Sequence, residues 1–291
     1  MARNNKERLG TSQTGVPKTK GEDPPIMDNG GGALSFSTPT EFVEIPSAGK
    51  LYPEDHPLHG EKFIEIRFMT AKDEDILTSQ SFLKKGIAID RFLSNIVVDS
   101  RVKVDDLYVG DKNALLIGSR ITGYGEQYNC KVSCPSCGET ADHDFDLSLV
   151  RPQTLQEDND EDEDILSSDG DTFIIKTLIT DVEVEIRFLK AKDEKYLLRI
   201  LESKRKKKLP ESTLTDQLKI MTVSINGNDD RKTINSFIDN LPARDSQQIR
   251  QTYQRMVPNI DLNQTFACDT CDYETDQMEV PFTTAFFWPD R

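Results

Sequence analysis

Apolar and charged residues alternate over Ile64-Glu-Ile-Arg-Phe68, so that Ile64, Ile66 and Phe68 share one face and Glu65 and Arg67 the other. A period of two is the mark of a half-buried strand. Ala71-Lys-Asp-Glu74 follows. It opens a helix with acidic residues in the first turn, where the dipole favours them. Lys84-Lys85-Gly86 supplies basic residues and then a glycine stop. Helical spacing appears three more times: Ile89, Phe92, Leu93, Ile96 and Val97; then Leu214, Leu218, Met221 and Ile225; then Ile234, Phe237, Ile238 and Leu241. Each stripe reads as a helix face packed on a core. Upstream, Phe42-Val-Glu-Ile-Pro-Ser-Ala-Gly-Lys-Leu-Tyr-Pro53 reads as a short strand and a tight turn.

The strand–helix string occurs twice. Ile64 to Glu74 matches Val184 to Glu194 at eight of eleven positions, at an offset of 120. Further on, Asp111 stands 23 residues before Cys134, and Asp245 stands 23 residues before Cys268. Both aspartates read as helix N-caps. Leu107 and Leu115 fall on Leu241 and Ile249 at the same offset of 134. The pattern predicts an α+β chain of two tandem strand–helix repeats, each ending in Cys-x-x-Cys.

Composition refines this picture. The 291 residues hold 36% hydrophobic and 8% aromatic positions, enough for a folded body. Residues 1–37 are polar and rich in Gly, Pro, Ser and Asn, and read as a disordered N-terminal arm. The first repeat then covers 38–152, an acidic linker 153–171, and the second repeat 172–291. Lys+Arg number 36 and Asp+Glu 51, a net charge of −15. Nine of those acids lie between Glu157 and Asp171 with no Lys or Arg among them, so the rest of the chain carries −15 + 9 = −6. Like charges with little apolar company predict an extended segment. An EF-hand at Asp160, Asp162 and Asp164 fails, because Ile165 occupies the position that needs Gly. The net charge disfavours broad binding to nucleic acid or anionic lipid. No stretch approaches the ~20 apolar residues of a membrane span. Met1 to Arg8 lacks the apolar core of a secretory signal. An intracellular, soluble protein is expected.

Cys134-Pro-Ser-Cys137-Gly138 has the form of a metal knuckle, with two residues between thiols and a glycine able to take the left-handed turn. Cys268-Asp-Thr-Cys271-Asp272 is its partner, and Asp tolerates that conformation better than most residues. Strand-like residues flank both pairs: Tyr128 to Val132 and Asp142 to Phe145, then Thr265-Phe266 and Met278 to Phe282. Two knuckled hairpins describe a zinc ribbon. Cys134, Cys137, Cys268 and Cys271 would share one structural Zn2+ per chain, with no open coordination position. An iron–sulfur cluster and metal-free cysteines are the alternatives. Cys130 reads as a strand residue, and His143 is not needed as a ligand.

Two further features carry candidate function. Lys204-Arg205-Lys206-Lys207-Lys208 is a candidate basic patch, whose plain reading is a solvated helix end before Leu209-Pro210. Phe286, Phe287 and Trp288 are candidate partner-binding anchors, or else rings that cap the ribbon core. No phosphate-binding loop and no Gly-x-Ser-x-Gly occurs, and the histidines number three. No catalytic residues are assigned, and an enzyme is not expected.

Phe42 to Pro53, Met69-Thr-Ala-Lys-Asp-Glu-Asp-Ile-Leu77, Lys84-Lys-Gly86, Ile121-Thr-Gly-Tyr-Gly125, the Cys-Pro-x-Cys knuckle and Phe286-Phe-Trp-Pro289 resemble the baseplate hub and assembly proteins of T-even-like contractile-tailed bacteriophages. The resemblance covers roughly residues 40–291 and leaves out the arm and the acidic linker. It implies a non-enzymatic protein that binds other baseplate or tail proteins, either as an assembly factor in the host cytoplasm or as a part of the virion tail baseplate. The alternative is a zinc-ribbon nucleic-acid-binding or transcription-associated protein using the basic run.

Overall fold

Strands β1 (Thr40–Glu44) and β2 (Phe63–Arg67) pair antiparallel, with Thr40 opposite Arg67 and Glu44 opposite Phe63. The alternation in the sequence is realised, since Ile64 and Ile66 are buried and Arg67 is not. The computed structural model describes residues 38–154, 165–282 and 286–287. The arm, most of the acidic run and Trp288 lie outside them. Thr38–Arg291 forms one compact unit.

After β2 come helices α1 (Ala71–Thr78), α2 (Gln80–Lys84), α3 (Ala88–Ile96) and α4 (Val109–Tyr124). The hairpin β3 (Gln127–Ser133) and β4 (Thr140–Asp146) follows, then the short β5 (Arg151–Gln153). The later stretch begins with β6 (Ile165–Asp169), β7 (Thr172–Lys176) and β8 (Glu183–Arg187). It continues with α5 (Ala191–Lys206), α6 (Thr213–Met221), β9 (Thr222–Ile225), α7 (Arg231–Asp239) and α8 (Ala243–Met256). It ends with β10 (Asn259–Asp261) and the hairpin β11 (Asn263–Ala267) and β12 (Glu274–Glu279). The sheets are small and antiparallel: four strands in the order β6-β7-β8-β9, and two-stranded pairs β1-β2, β3-β4, β10-β5 and β11-β12. The architecture is α+β around one continuous apolar core drawn from both stretches.

The same contacts recur at matching places. Arg67 grips Asp73 with two bonds of 2.7 and 2.9 Å, and Arg187 grips Asp193 at 2.7 and 2.9 Å. Val97, just after α3, forms a bridge to Ile66 of β2; β9, just after α6, pairs with β8. Asp111 accepts from the Ser47 N–H and hydroxyl and from the Tyr52 hydroxyl, at 2.9, 2.6 and 2.7 Å. Asp245 accepts from the Ile179 and Thr180 N–H groups and the Thr180 hydroxyl, at 2.8, 3.0 and 2.9 Å.

Those bonds correct the N-cap reading. Asp111 and Asp245 are each the third residue of their helix, after Tyr108 and Pro242 as caps. Their carboxylates lock the turn of a distant hairpin. Other differences are smaller. The first helix breaks at Ser79 before α2. The stripe ending at Ile225 stops as helix at Met221, because Ile225 lies in β9. Residues 165–169, expected inside the linker, form β6, with Ile165 opposite Ile175. The acids crowd 157–164; beyond Ile165 only Asp169 and Asp171 remain, too few to prevent pairing.

The two stretches interlock along a polar seam. The Val109 N–H meets the Leu189 carbonyl at 3.1 Å, and the Ala191 N–H meets that of Leu107 at 2.8 Å. Lys112, largely buried, lies 2.8 Å from Glu194 and 3.3 Å from Asp90. The Tyr108 hydroxyl shares its proton between Leu51 O at 2.8 Å and Asp171 at 3.0 Å. Gly110 sits where a Cβ would fall on the Pro258 carbonyl oxygen, so α4 meets the strand lead-in of β10 without a side chain between them.

Candidate metal centre

Both knuckles are hairpin tips. In β3-β4 the Cys134 N–H bonds Glu139 O at 2.8 Å, the Gly138 N–H bonds Cys134 O at 2.9 Å, and Gly138 takes φ 75°. In β11-β12 the Cys268 N–H bonds Tyr273 O at 3.0 Å. Asp272 does not adopt the left-handed conformation expected of it, so the second tip closes differently. Arg120 of α4 donates to the carbonyls of Gly125 and Gln127 at 2.8 and 3.0 Å, fixing the step from helix into β3.

The structure brings the four cysteines together across 130 residues of sequence. Their Sγ atoms all lie within 4.8 Å of one another. Cys134 faces Cys271, and Cys137 faces Cys268, each at 3.8 Å. Thiolates about 2.3 Å from one ion in a tetrahedron stand about 1.63 times that apart, or about 3.8 Å. The two 3.8 Å separations match sulfurs around a single ion, and the whole set stays within 4.8 Å. They are far beyond the ~2 Å of a disulfide. They are also too close for thiolates that each bind a separate iron of a four-iron cluster. The site can hold one metal ion.

The thiols respond to this crowding. Backbone N–H groups of Cys137 and Ser136 hold Cys134 down to about 7. Cys271 gains the Tyr273 N–H, yet desolvation and the neighbouring sulfurs outweigh it and push the thiol up to about 12. A cation among the four sulfurs would relieve that mutual repulsion.

Bonds around the site hold the hairpins in register. Gln264 Nε2 donates to Asp146 O at 2.8 Å and its Oε1 accepts the Asp146 N–H at 3.0 Å. The Tyr128 hydroxyl donates to Pro281 O at 2.9 Å. His143 lies edge-on to Phe145 and Phe266, at 4.6 and 5.3 Å between ring centres, as part of the packing beneath the knuckles. Cys130 is a buried β3 residue opposite His143, and burial pushes its thiol up.

The other candidate residues lie elsewhere. Phe286 and Phe287 are buried within the chain, edge-on to Tyr128 and Phe92 at 5.1 and 5.5 Å. These two rings pack inward, in keeping with the second of their two readings, as caps of the core; Trp288 lies outside the described residues. The basic run ends α5. Lys204 bonds Asp216 at 2.5 Å, and Arg205 bonds Glu211 at 2.7 Å, so part of its charge is met by the loop that follows and the first turn of α6. Sequence reasoning missed the Arg67–Asp73 and Arg187–Asp193 pairs. The signal was present, since both partners sit in the string that occurs twice.

The fold and the site define a protein of mixed helix and small antiparallel sheets, with a four-cysteine centre joining distant hairpins. A family model described as T4 bacteriophage base plate protein matches residues 40–288. The chain belongs to that family and is a structural protein of the phage baseplate. No curated protein matches, and no solved structure does. Among the described residues no helix is long and apolar enough to cross a membrane.

Proposed function

We propose that this chain is a non-enzymatic subunit or assembly factor of the baseplate hub, whose work is to present fixed surfaces to other tail proteins. It consists of two related halves, 38–152 and 172–291, fused in one chain. The ion is zinc, held by a ribbon to which each half contributes one knuckle. Support for related halves comes from the matching arginine–aspartate pairs, the matching aspartate locks and the repeated order of hairpin, helices and knuckle. Zinc suits four thiolates in a tetrahedron, prefers no other geometry and undergoes no redox change. With every position filled by sulfur, the ion would have a structural role.

One observation carries the reading: two sulfurs from each hairpin meet within 4.8 Å. That geometry clamps the ends of both halves at one point. The basic run offers less to a nucleic-acid alternative than its charge suggested, because Lys204 and Arg205 are engaged by Asp216 and Glu211. Metal analysis of the purified full chain tests the proposal. One zinc per chain is expected, with four-sulfur coordination by X-ray absorption. Cys134→Ser and Cys268→Ser should each lose the zinc and lower the melting temperature. A chain without metal, whose variants melt like wild type, would remove the clamp.

A further inference from the structure

Among the described residues strand β1 has one strand neighbour, β2. The Ile45 N–H bonds Lys62 O at 2.9 Å in continuation of their register. Alternation then directs the backbone groups of Glu41 and Val43 towards β2, and those of Thr40, Phe42 and Glu44 outward. The Phe42 N–H is met by the carboxylate of its neighbour Glu41, at 3.3 Å and at the surface. Beside this edge lies a groove of about 520 Å³ between β1 and β5, floored by α4 through Ala114, Ile117 and Ile121. Phe42 stands at its rim with 63% of its surface exposed.

The other half shows what fits such an edge. Thr172 of β7 lies opposite Arg187 of β8, as Thr40 lies opposite Arg67. There the outer edge is occupied by β6, with Ser167 opposite Ile174 and Ser168 opposite Phe173. Among the described residues nothing takes that place on β1. Exposed edges invite aggregation and are normally blunted. An edge left open beside an apolar groove is the arrangement that accepts an added strand.

We propose that the groove between β1 and β5 receives an extended strand of another baseplate protein, antiparallel to β1 as β6 is to β7. This deepens the assembly reading and rests on it. The incoming strand would place apolar residues at alternate positions over the α4 floor. Its flanks would carry Lys or Arg, because Glu41, Glu44 and Glu126 line the groove, while Arg151 is committed to the carbonyls of Ser148 and Val150. A second copy of this chain fits poorly. Two β1 edges would set Glu41 and Glu44 of both copies against each other, in a chain of net −15.

The test uses the full chain and the purified baseplate proteins of its own phage. Phe42→Pro deletes one outward N–H and spares the ladder to β2. Phe42→Ala removes the ring and keeps the N–H. Glu41→Lys with Glu44→Lys reverses the charge without touching the backbone. In the isolated wild-type chain the Phe42 and Glu44 amides should exchange at least tenfold faster than Val43, and should become protected when a baseplate protein binds. Binding should persist in Phe42→Ala and weaken about tenfold or more in Phe42→Pro and in the double-lysine variant, with zinc content and melting unchanged. Should Phe42→Pro not fold, the double-lysine variant decides alone. Amides already protected at high dilution would mean that the chain covers its own edge, and protection rising with concentration would mean a second copy. Either result, or full binding by the variants, overturns the added strand while leaving the assembly reading intact. If no baseplate protein binds the wild type, the assembly reading falls, and the added strand falls with it.

Discussion

Asp73 shows how much one side chain can hold. It is fully buried and takes bonds from both Arg67 nitrogens, from the Thr70 N–H and hydroxyl, and from Asn95 at 2.6 Å. Burial alone would raise its pKa, but the bonds from Arg67, Thr70 and Asn95 prevail and hold it down to about 2. An aspartate depressed on folding stabilises the fold above its unfolded pKa of about 3.9. That contribution is lost as pH falls from about 4 towards 2. Asp73→Asn should cost about 3 kcal/mol near neutral pH, because it leaves Arg67 without its counter-ion. Melting curves of wild type and variant should therefore converge between pH 4 and 2. At this scale much was legible from the letters. The two-residue spacing of the cysteines announced a metal knuckle, and the string that occurs twice contained both Arg and Asp. Which carboxylate faced which guanidinium was not legible, since that depends on how a strand turns into a helix.

Elements were legible where their period was clean, and less so where a residue type serves two purposes. An aspartate in the first turn of a helix looks the same in sequence whether it caps its own helix or reaches outward. Asp111 and Asp245 reach outward, to turns 64 and 66 residues away. Asp245→Ala would leave the Ile179 and Thr180 N–H groups unmet, a loss on the order of 2 kcal/mol. Amide exchange should rise at Ile179 and Thr180 before it rises in β8. Charge misled in the opposite sense over β6, where a linker was expected and a strand formed once Ile165 found Ile175. The approach of α4 to Pro258 is a second constraint at this scale. Gly110→Ala would drive a methyl into backbone that cannot turn aside, so overpacking of about 1–3 kcal/mol is expected. The measurement is the denaturation midpoint, with the slope unchanged.

Across the whole molecule the stretches before and after the acidic run meet at several places, among them the seam at Leu107–Val109 and Leu189–Ala191, the β5-β10 pair, and the cysteine centre. Composition hinted at none of the first two, because they are made of backbone and of ordinary charged residues far apart in sequence. Only the third had a sequence signature. This division decides what removing the proposed zinc should do. Structural zinc can contribute on the order of 10 kcal/mol where little else orders the site. Here the Gln264 bonds to Asp146 and the Tyr128 bond to Pro281 already align the hairpins. Chelation should therefore loosen the ribbon without opening the seam. Amide exchange should accelerate over 127–146 and 263–279, while the Val109 and Ala191 amides stay protected. The melting temperature should fall by roughly 10 °C, as expected for about 3–5 kcal/mol in a chain of this size. Cys130→Ser, in the strand but outside the sulfur cluster, should keep its zinc and escape that loss. If chelation unfolds the whole chain in one step, the centre rather than the seam holds the two stretches together.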